Sequence, residues 1–286
     1  MAFTPTYMGS GDPVRRKHYY PWWLDRLADD VTGEGAFIEG AAQGAEAVRS
    51  IVTYARTVYE YQEFNFTGDY GDNGFLEDYT TKVRGEPAGV VVTVTRNAAG
   101  QAEHLVVNHR PRSSVLLLAR LCGEKFGGTP LGKLFIANGP ETDDSEGRRG
   151  ATYLGSGDRA RRRTDYFPAW LNSLADDVTL EAAAMNGAAQ GAEAVRSITL
   201  AAKALYEYQE FNYAGPYDNG FLEDYTTQVR GEPTGVVVTV TRNAAGQAQH
   251  LVVNHRPRSS VLLVSGLLGE KFAGTPLAKH FLASDS

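Results

Sequence analysis

One long stretch of this chain is present twice, and that repeat constrains the fold more than any other feature. Residues 77–117 recur as residues 223–263 with only three substitutions. The changed residues are Lys82, Ala88 and Glu103, which become Gln228, Thr234 and Gln249. A repeat of such length and fidelity indicates that a whole folding unit has been duplicated. The sequence therefore predicts two similar domains in one chain.

The similarity between the copies extends on both sides of this stretch. We place the first domain at residues 7–137 and the second at residues 153–283, and about 130 residues suffice for a separate hydrophobic core. Residues 138–152 contain four acids and no apolar periodicity, which is typical of an exposed linker. Two matching units can associate as a covalently joined two-fold dimer. We therefore expect an intrachain pseudo-dimer and leave further homo-oligomerisation open.

Composition excludes several classes of partner. The 286 residues carry a net charge of −6 without a basic stripe, which argues against a nucleic-acid partner. No apolar run approaches the roughly 18–20 residues of a membrane span, so we expect no membrane partner and a cytoplasmic location. The single cysteine, Cys122, aligns with Leu268 and is predicted to be a small buried hydrophobe.

Each unit is predicted to begin with helices. In residues 21–28 the apolar side chains are spaced by three and four positions, and Pro21 suits the first turn of a helix. Residues 44–61 place their apolar side chains on one face and predict a longer helix. Residues 32–39, between the two helices, are predicted to be short and extended.

A period of two then replaces the helical spacing, which predicts antiparallel strands. The predicted strands are residues 75–83, 89–96 and 104–110. Residues 85–87 and 97–100 have the composition of turns. Residues 113–126 fit either a helix or a bent last strand, and we favour a strand followed by a turn.

Three motifs, in this order, resemble the nuclear transport factor 2-like superfamily. Residues 28–34 (ADDVTGE) resemble the run that precedes the catalytic base of ketosteroid isomerases, and residues 44–48 (GAEAV) resemble the start of the helix that follows. Residues 97–101 (NAAGQ) resemble the hairpin turn of that family and of SnoaL-like polyketide cyclases. The resemblance implies an α+β fold of two tandem, cone-shaped (cystatin-like) barrels. In each barrel, helices pack on a curved antiparallel sheet around a mostly apolar pocket.

The catalytic residues of the ketosteroid isomerases are not found at the matching positions. Gly35 and, in the second copy, Ala182 stand where the family has its general-base aspartate. Residues 90–94, the strand before the hairpin turn, contain no acid where the family has a protonated one. Steroid isomerisation by that set of residues is therefore excluded. A cofactor-free cyclase, isomerase, dehydratase or hydrolase remains open, because a fold does not determine a reaction.

Strand parity selects the candidate catalytic residues. Aligning the two turns with the family pattern places Glu77, Tyr79 and His109 on the concave face. Burial raises the pKa of a carboxyl group, a nearby imidazole can exchange its proton, and a tyrosine hydroxyl can donate to a substrate oxygen. The corresponding residues of the second copy are Glu223, Tyr225 and His255. The structural alternative places Glu77 at a strand end facing solvent and His109 in the core.

Apolar residues facing the same hollow are predicted to bind the substrate. They are Trp22, Phe37, Val83, Leu105, Val107, Trp170, Met185, Val229, Leu251 and Val253. Glu34 and Glu181 adjoin the family's base position and would replace it if the register shifted. Residues 108–114 (NHRPRSS) recur unchanged as residues 254–260. The two arginines of this motif, Arg110 and Arg112 in the first copy, could bind an anionic substrate or form ion pairs between the units, and we favour the ion pairs.

Two hypotheses about function follow. The first is a cofactor-independent, metal-free isomerase, cyclase or lyase that moves a proton in a small, largely apolar substrate. The second is a non-catalytic ligand-binding or scaffold protein whose cone is filled by side chains such as Trp22, Trp23 and Phe37. An open cavity of about 300 Å³ or more with Glu77 inside favours the enzyme, and a filled cone favours the scaffold.

Overall fold

Two seven-stranded sheets, each with two α-helices, form the part of the chain that the structure describes. The structure is a computed structural model, and it describes residues 12–135 and 159–281. The first half contains β1 (Arg16–Lys17), β2 (Leu27–Gly35), β3 (Ala42–Gln43), α1 (Ala45–Thr57), β4 (Gln62–Tyr70), β5 (Gly74–Val83), β6 (Glu86–Arg96), β7 (Ala102–Arg110) and α2 (Arg112–Phe126).

The second half repeats this order element by element. It contains β8 (Arg162–Arg163), β9 (Leu174–Ala182), β10 (Ala188–Gln190), α3 (Ala192–Lys203), β11 (Gln209–Tyr217), β12 (Gly220–Val229), β13 (Glu232–Arg242), β14 (Ala248–Arg256) and α4 (Arg258–Phe272). Short 3-10 turns at Pro130–Phe135 and Pro276–His280 follow the last helix of each half.

Each sheet is an antiparallel meander extended by one parallel strand. The order in the first half is β1-β4-β5-β6-β7-β2-β3, with β2 parallel to β7, and the second sheet has the same order of equivalent strands. Bulges between Phe64 and Phe66 and between Thr95 and Arg96 interrupt the register, and bulges bend the strands that carry them. Helix α1 buries Val48, Ile51 and Ala55 against the sheet. The predicted α+β class, with two tandem units, is confirmed.

Several predicted elements are present in the structure. Helix α1 lies within the predicted helix at residues 44–61, and β5, β6 and β7 contain the three predicted strands. The prediction for residues 113–126 is wrong, because this segment is the helix α2. Its buried residues Val115, Leu118, Cys122 and Phe126 are spaced by three and four, so one face of a helix meets the core.

The start of each unit was also predicted incorrectly. Only Trp22–Asp25 are helical, as a single 3-10 turn, and β2 begins at Leu27. Some apolar residues of this region belong to the 3-10 turn and others to β2, which pairs with β7. Together they are spaced by three and four positions, as in a helix. Strand β4 was missed, because its bulge between Phe64 and Phe66 breaks the alternation by which strands are identified.

The predicted linker, residues 138–152, lies outside the described residues. So do the outer ends of both predicted domains, residues 7–11 and 136–137 in the first and residues 153–158 and 282–283 in the second. The boundaries 7–137 and 153–283 therefore stay predictions.

The two sheets pack against each other through their convex faces. An apolar cluster there combines Tyr70, Leu76, Val91 and Val106 with Tyr217, Leu222, Val237 and Val252. Aromatic rings cross the boundary in both directions, with centroids 4.8 Å apart for Tyr70 and Tyr213 and 4.9 Å apart for Phe66 and Tyr217. The two halves thus form a pseudo-two-fold dimer within one chain.

Buried ion pairs cross the same boundary. Arg110 is fully buried, and it donates from Nε to Glu181 Oε2 of the other half at 2.7 Å and from Nη2 to Asp78 Oδ1 of its own half at 3.3 Å. The equivalent Arg256 donates to Glu34 and Asp224 at the same two distances. The preference for inter-unit ion pairs is therefore confirmed for Arg110 and Arg256.

Gly89 lets the Arg110 guanidinium cross strand β6 on its way to Asp78. A Cβ atom on Gly89 would lie 2.5 Å from Arg110 Cζ, and the guanidinium is held on both sides by carboxylates. We predict that Gly89→Ala lowers the free energy of unfolding by about 1–3 kcal/mol, measured by urea denaturation.

The matched control is Gly266→Ala in α4, where a Cβ atom meets nothing within 4 Å. This variant is expected to stabilise the protein by about 0.5–1 kcal/mol, because alanine is the better helix former. Equal effects of the two substitutions would contradict the packing described for Gly89.

Candidate functional site

The carboxyl group of Glu77 occupies the concave side of β5 and is oriented by two donors. It is 1% exposed, and its Oε1 atom accepts hydrogen bonds from the Tyr19 hydroxyl and from Trp23 Nε1, both at 2.9 Å. No donor to Oε2 is found among the described residues. One carboxylate oxygen is thus fixed by the protein, and Glu77 is among the residues that line a cavity.

The second half contains the same arrangement around Glu223. Glu223 Oε1 accepts hydrogen bonds from the Tyr166 hydroxyl at 2.6 Å and from Trp170 Nε1 at 2.8 Å. Tyr166 and Trp170 align with Tyr19 and Trp23, so the whole arrangement is duplicated.

Burial changes the acidity of both carboxyl groups. It raises the pKa of Glu77 to about 7, although the hydrogen bonds from Trp23 and Tyr19 and the charge of Arg56 act in the opposite direction. Burial also raises the pKa of Glu223, against the hydrogen bonds from Tyr166 and Trp170. A carboxyl group with a pKa near 7 can both take up and release a proton at neutral pH.

Tyr79 and His109 both pair with Val90, and Tyr79 lies two residues beyond Glu77 on β5. The His109 Nε2 atom is 2.6 Å from the Tyr59 hydroxyl, and the Tyr59 and Tyr79 rings are 6.2 Å apart. Burial lowers the pKa of His109 to about 3, so the imidazole is neutral at neutral pH. Burial likewise raises the pKa of Tyr79 well above its ordinary value, which keeps its hydroxyl proton in place.

The predicted direct relay between Glu77 and His109 is not present. Glu77 of β5 is paired with Val92 of β6, whereas His109 of β7 is paired with Val90 of β6, so the two are two strands apart and offset by two residues. Strand spacing then separates their backbones by about 12 Å. His109 bonds to Tyr59 and does not line the first cavity. His255, bonded to Tyr206 at 2.7 Å, does line the second cavity, but its pairing with Val236 offsets it from Glu223 in the same way.

A small, almost wholly apolar cavity lies beside each glutamate. Each has a volume of about 40 Å³. The first is bounded on different sides by Trp23, Ile51, Tyr59 and Tyr79. This volume is far below the roughly 300 Å³ of an ordinary ligand pocket. Each cone is therefore mostly filled by its own side chains.

Only part of the predicted substrate-binding set lines these cavities. Phe37, Leu105 and Val107 line the first, and Trp170, Met185 and Val253 line the second. The remaining four, Trp22, Val83, Val229 and Leu251, do not. Trp22 packs edge-on against Phe75 with ring centroids 5.4 Å apart, because the 3-10 turn directs the neighbouring Trp23 inward instead. The other three are buried in the surrounding core.

The suggestion that Glu34 or Glu181 replaces the family's base does not fit the geometry. Their carboxylates bind Arg256 and Arg110, respectively, between the two sheets. Glu34 is a lining residue of the first cavity, but its carboxylate is bound to Arg256, and β2 places Gly33 and Gly35 on the concave side, beside Val48 and Phe37.

The donors to the two glutamates were missed, although a signal for them exists. Trp23 and Tyr19 each align with an identical residue of the second copy, whereas Trp22 aligns with Ala169. Comparison of the copies would therefore have favoured Trp23 over Trp22. Within the described residues, no group of three or more histidine, cysteine, aspartate or glutamate side chains is arranged to hold a metal ion. Among the helices described, none combines the length and apolarity that crossing a membrane requires.

Comparisons with known proteins find structural similarity alone. No family model and no curated protein matches the chain. A protein with a cystatin-like fold from Silicibacter pomeroyi is 19% identical, with 36% of this chain and 73% of that one covered and a TM-score of 0.34. A steroid delta-isomerase from Pseudomonas aeruginosa is 17% identical, with 36% and 75% covered and a TM-score of 0.34.

A third structure, of a protein with a ketosteroid isomerase-like fold from Catenulispora acidiphila in complex with trimethylamine, is 15% identical. The similarity covers 33% of this chain and 77% of that one, with a TM-score of 0.26. The fold of each half is nonetheless plain from its own strand order and helices. Each half thus has the α+β arrangement of helices packed on a curved, mainly antiparallel sheet that the resemblance implied.

The indole protons give a direct test of the acidity of each glutamate. The chain has three tryptophans, and two of them donate to the glutamates. We predict that the Trp23 indole signal in ¹H–¹⁵N NMR moves with a midpoint near pH 7, as Glu77 ionises and becomes a stronger acceptor. Glu77→Gln should abolish this step and leave the Trp170 titration intact. A midpoint near the ordinary glutamate value would contradict the burial effect.

The same raised pKa makes folding depend on pH. Between about pH 4.5 and about pH 7 the folded protein keeps a proton on Glu77 that the unfolded chain has lost, so stability falls as pH rises through this window. We predict that Glu77→Gln together with Glu223→Gln flattens this decline, by up to about 1 kcal/mol per pH unit for each group. Urea denaturation at several pH values measures it. An unchanged slope would show that both carboxyl groups titrate normally.

Proposed function

We propose that each cone is a cofactor-independent acid–base site for a very small, largely apolar organic molecule. The observation that carries the proposal is the Glu77 carboxyl group, with one oxygen held by Tyr19 and Trp23 and a pKa raised to about 7, at the wall of an apolar cavity. Glu223 supports the same proposal for the second cone. A cytoplasmic location and the lack of a nucleic-acid partner stay predictions from composition.

The chemistry that suits this arrangement is proton transfer at a carbon beside a carbonyl group. The free Glu77 oxygen takes a proton from that carbon, and the electron pair moves to the carbonyl oxygen to form an enolate. Tyr79, which lines the same cavity and keeps its hydroxyl proton, would donate to this oxygen. If the proton on Glu77 is replaced by one from solvent before a proton returns to the same carbon, the result is exchange, and return to another carbon gives isomerisation.

Cavity volume limits the substrate. A buried water requires roughly 10–15 Å³ of cavity volume. A cavity of about 40 Å³ therefore has room for about three waters. That is the room of an organic molecule with about four non-hydrogen atoms, such as acetone. A larger substrate for an isomerase, cyclase or dehydratase would require the cone to open.

A second candidate function is favoured by this same volume. In this alternative the cones are filled by side chains, the protein is a non-catalytic scaffold, and Glu77 and Glu223 only stabilise the fold. Both donors to Glu77 come from the segment that precedes β2, so the carboxyl group also ties that segment to the sheet. The small cavity fits this alternative, whereas the free oxygen and raised pKa favour the acid–base site.

Hydrogen–deuterium exchange separates the two candidates without knowledge of the natural substrate. We predict that the protein accelerates exchange of acetone methyl protons in D2O above the buffer rate, as followed by NMR. Glu77→Gln together with Glu223→Gln should abolish the acceleration, because an amide cannot take the proton. Glutamine keeps an oxygen that can accept from Tyr19 and Trp23, so the melting temperature should change little.

The matched control is Glu103→Gln on β7, because the second copy already has Gln249 at that position. It should exchange acetone as fast as the unchanged protein. A protein no faster than the double variant would refute the acid–base proposal and support the scaffold.

A further inference from the structure

We propose that each half of the chain sets the floor of the other half's cavity, with Arg258 as the positioning residue for the first cavity and Arg112 for the second. The floor segments are residues 36–39 and 183–186, which follow β2 and β9. Phe37 and Ile38 line the first cavity, and Ala184 and Met185 line the second. The proposal concerns the walls of the cavities and holds whether or not they are catalytic.

Backbone hydrogen bonds connect each floor to the opposite half. The Arg258 amide, at the start of α4, donates to the carbonyl of Ile38 at 3.0 Å. The Arg112 amide, at the start of α2, donates to the carbonyl of Met185 at 2.8 Å. In both cases the acceptor belongs to a cavity-lining residue of the other half.

The Arg258 side chain strengthens the connection to the first floor. Its Nε donates to Glu39 Oε1 at 3.2 Å, and its Nη1 donates to the carbonyl of Phe135 at 3.0 Å. Glu39 in turn donates its amide to the carbonyl of Leu134 at 2.8 Å, and the Phe37 and Phe135 rings stack 6.2 Å apart. One guanidinium of the second half thus fixes both segments that close the first cone from below.

The second floor is connected through different groups. Arg112 Nη1 donates to the carbonyl of Phe281 at 3.0 Å and to Ser265 Oγ at 2.5 Å. Asn186 stands where the first floor has Glu39, and Ala119 stands where the second half has Ser265. The first floor is therefore held by a charged pair, and at the second floor Arg112 donates to a hydroxyl and a backbone carbonyl.

These contacts predict coupling between the halves. The Arg258 and Glu39 side chains are only 7% and 15% exposed, so loss of one partner leaves the other charge poorly solvated. When Arg258 is removed, Glu39 is expected to turn toward solvent. Phe37 and Ile38 would then shift into the space that the Glu39 side chain had occupied. A substitution in the second half is expected to alter the first cavity and to leave its own cavity unchanged.

Isoleucine methyl groups report on each cavity separately. The chain has four isoleucines, of which Ile38 and Ile51 line the first cavity and Ile198 lines the second. Met185 adds a second reporter for the second cavity. Methyl ¹³C NMR of the full chain, titrated with acetone, therefore measures the two sites in one experiment.

We predict that Arg258→Met shifts the Ile38 and Ile51 methyl signals and weakens acetone binding in the first cavity by about three- to tenfold, with Ile198 and Met185 unchanged. Arg112→Met should do the reverse. Arg258→Lys, which keeps a charge for Glu39, should restore part of the first-site affinity. Glu39→Gln is a milder variant and should affect the first site alone.

The control is Arg120→Met, which removes an exposed arginine of α2 that bonds Glu124 on the surface, and it should move neither set of signals. The inference is overturned if Arg258→Met leaves Ile38 unchanged or perturbs both cavities equally. If acetone binds neither cavity of the unchanged protein, the proposed function fails, and the shifts of the Ile38 and Met185 methyl signals still decide the inference.

Discussion

A guanidinium buried between two sheets is the interaction on which the rest of the molecule depends. Arg110 has no exposed surface, and its charge is balanced by Asp78 in its own half and Glu181 in the other. Breaking such a pair by removing one partner costs about 3–5 kcal/mol, because a charge is left buried alone. The halves therefore cannot separate without exposing Arg110 and its counterpart to water.

This constraint divides the strand residues into two groups by parity. Asp78 faces the other sheet and pairs with Arg110, whereas its neighbour Glu77 faces an apolar hollow and accepts hydrogen bonds from Tyr19 and Trp23. Two adjacent carboxyl groups are thus buried on opposite sides of one strand, and among the residues that the structure describes only Asp78 has a cationic partner within hydrogen-bond distance. The ion pairs on the convex side hold the two halves together, and the concave side carries the Glu77 carboxyl group that lines the cavity.

Features that follow from a local or repeated sequence pattern were predictable. Features that depend on contacts between residues distant in the sequence were not. The duplication, the long helix, the strands β5 to β7 and the concave position of Glu77 follow from period and alignment. Helix α2 was missed because its apolar spacing is compatible with either period over a short run. The bond between His109 and Tyr59 depends on where α1 ends relative to the sheet, and no local pattern encodes that. The filled cone likewise results from the packing of distant side chains.

The pattern of differences between the copies agrees with this division of roles. A two-fold interface requires each residue to meet the equivalents of its own partners, so a change in one copy must suit both. Within the repeated stretch only three positions differ. Of these, Glu103 is exposed, and Ala88 becomes Thr234, whose hydroxyl bonds Ser260 within its own half. The floors, by contrast, have diverged from Phe37 and Ile38 to Ala184 and Met185, because Ile38 and Met185 contact the start of the opposite helix through their backbone carbonyls, which any side chain leaves in place. Side chains there can change the shape of one cavity without disturbing the interface.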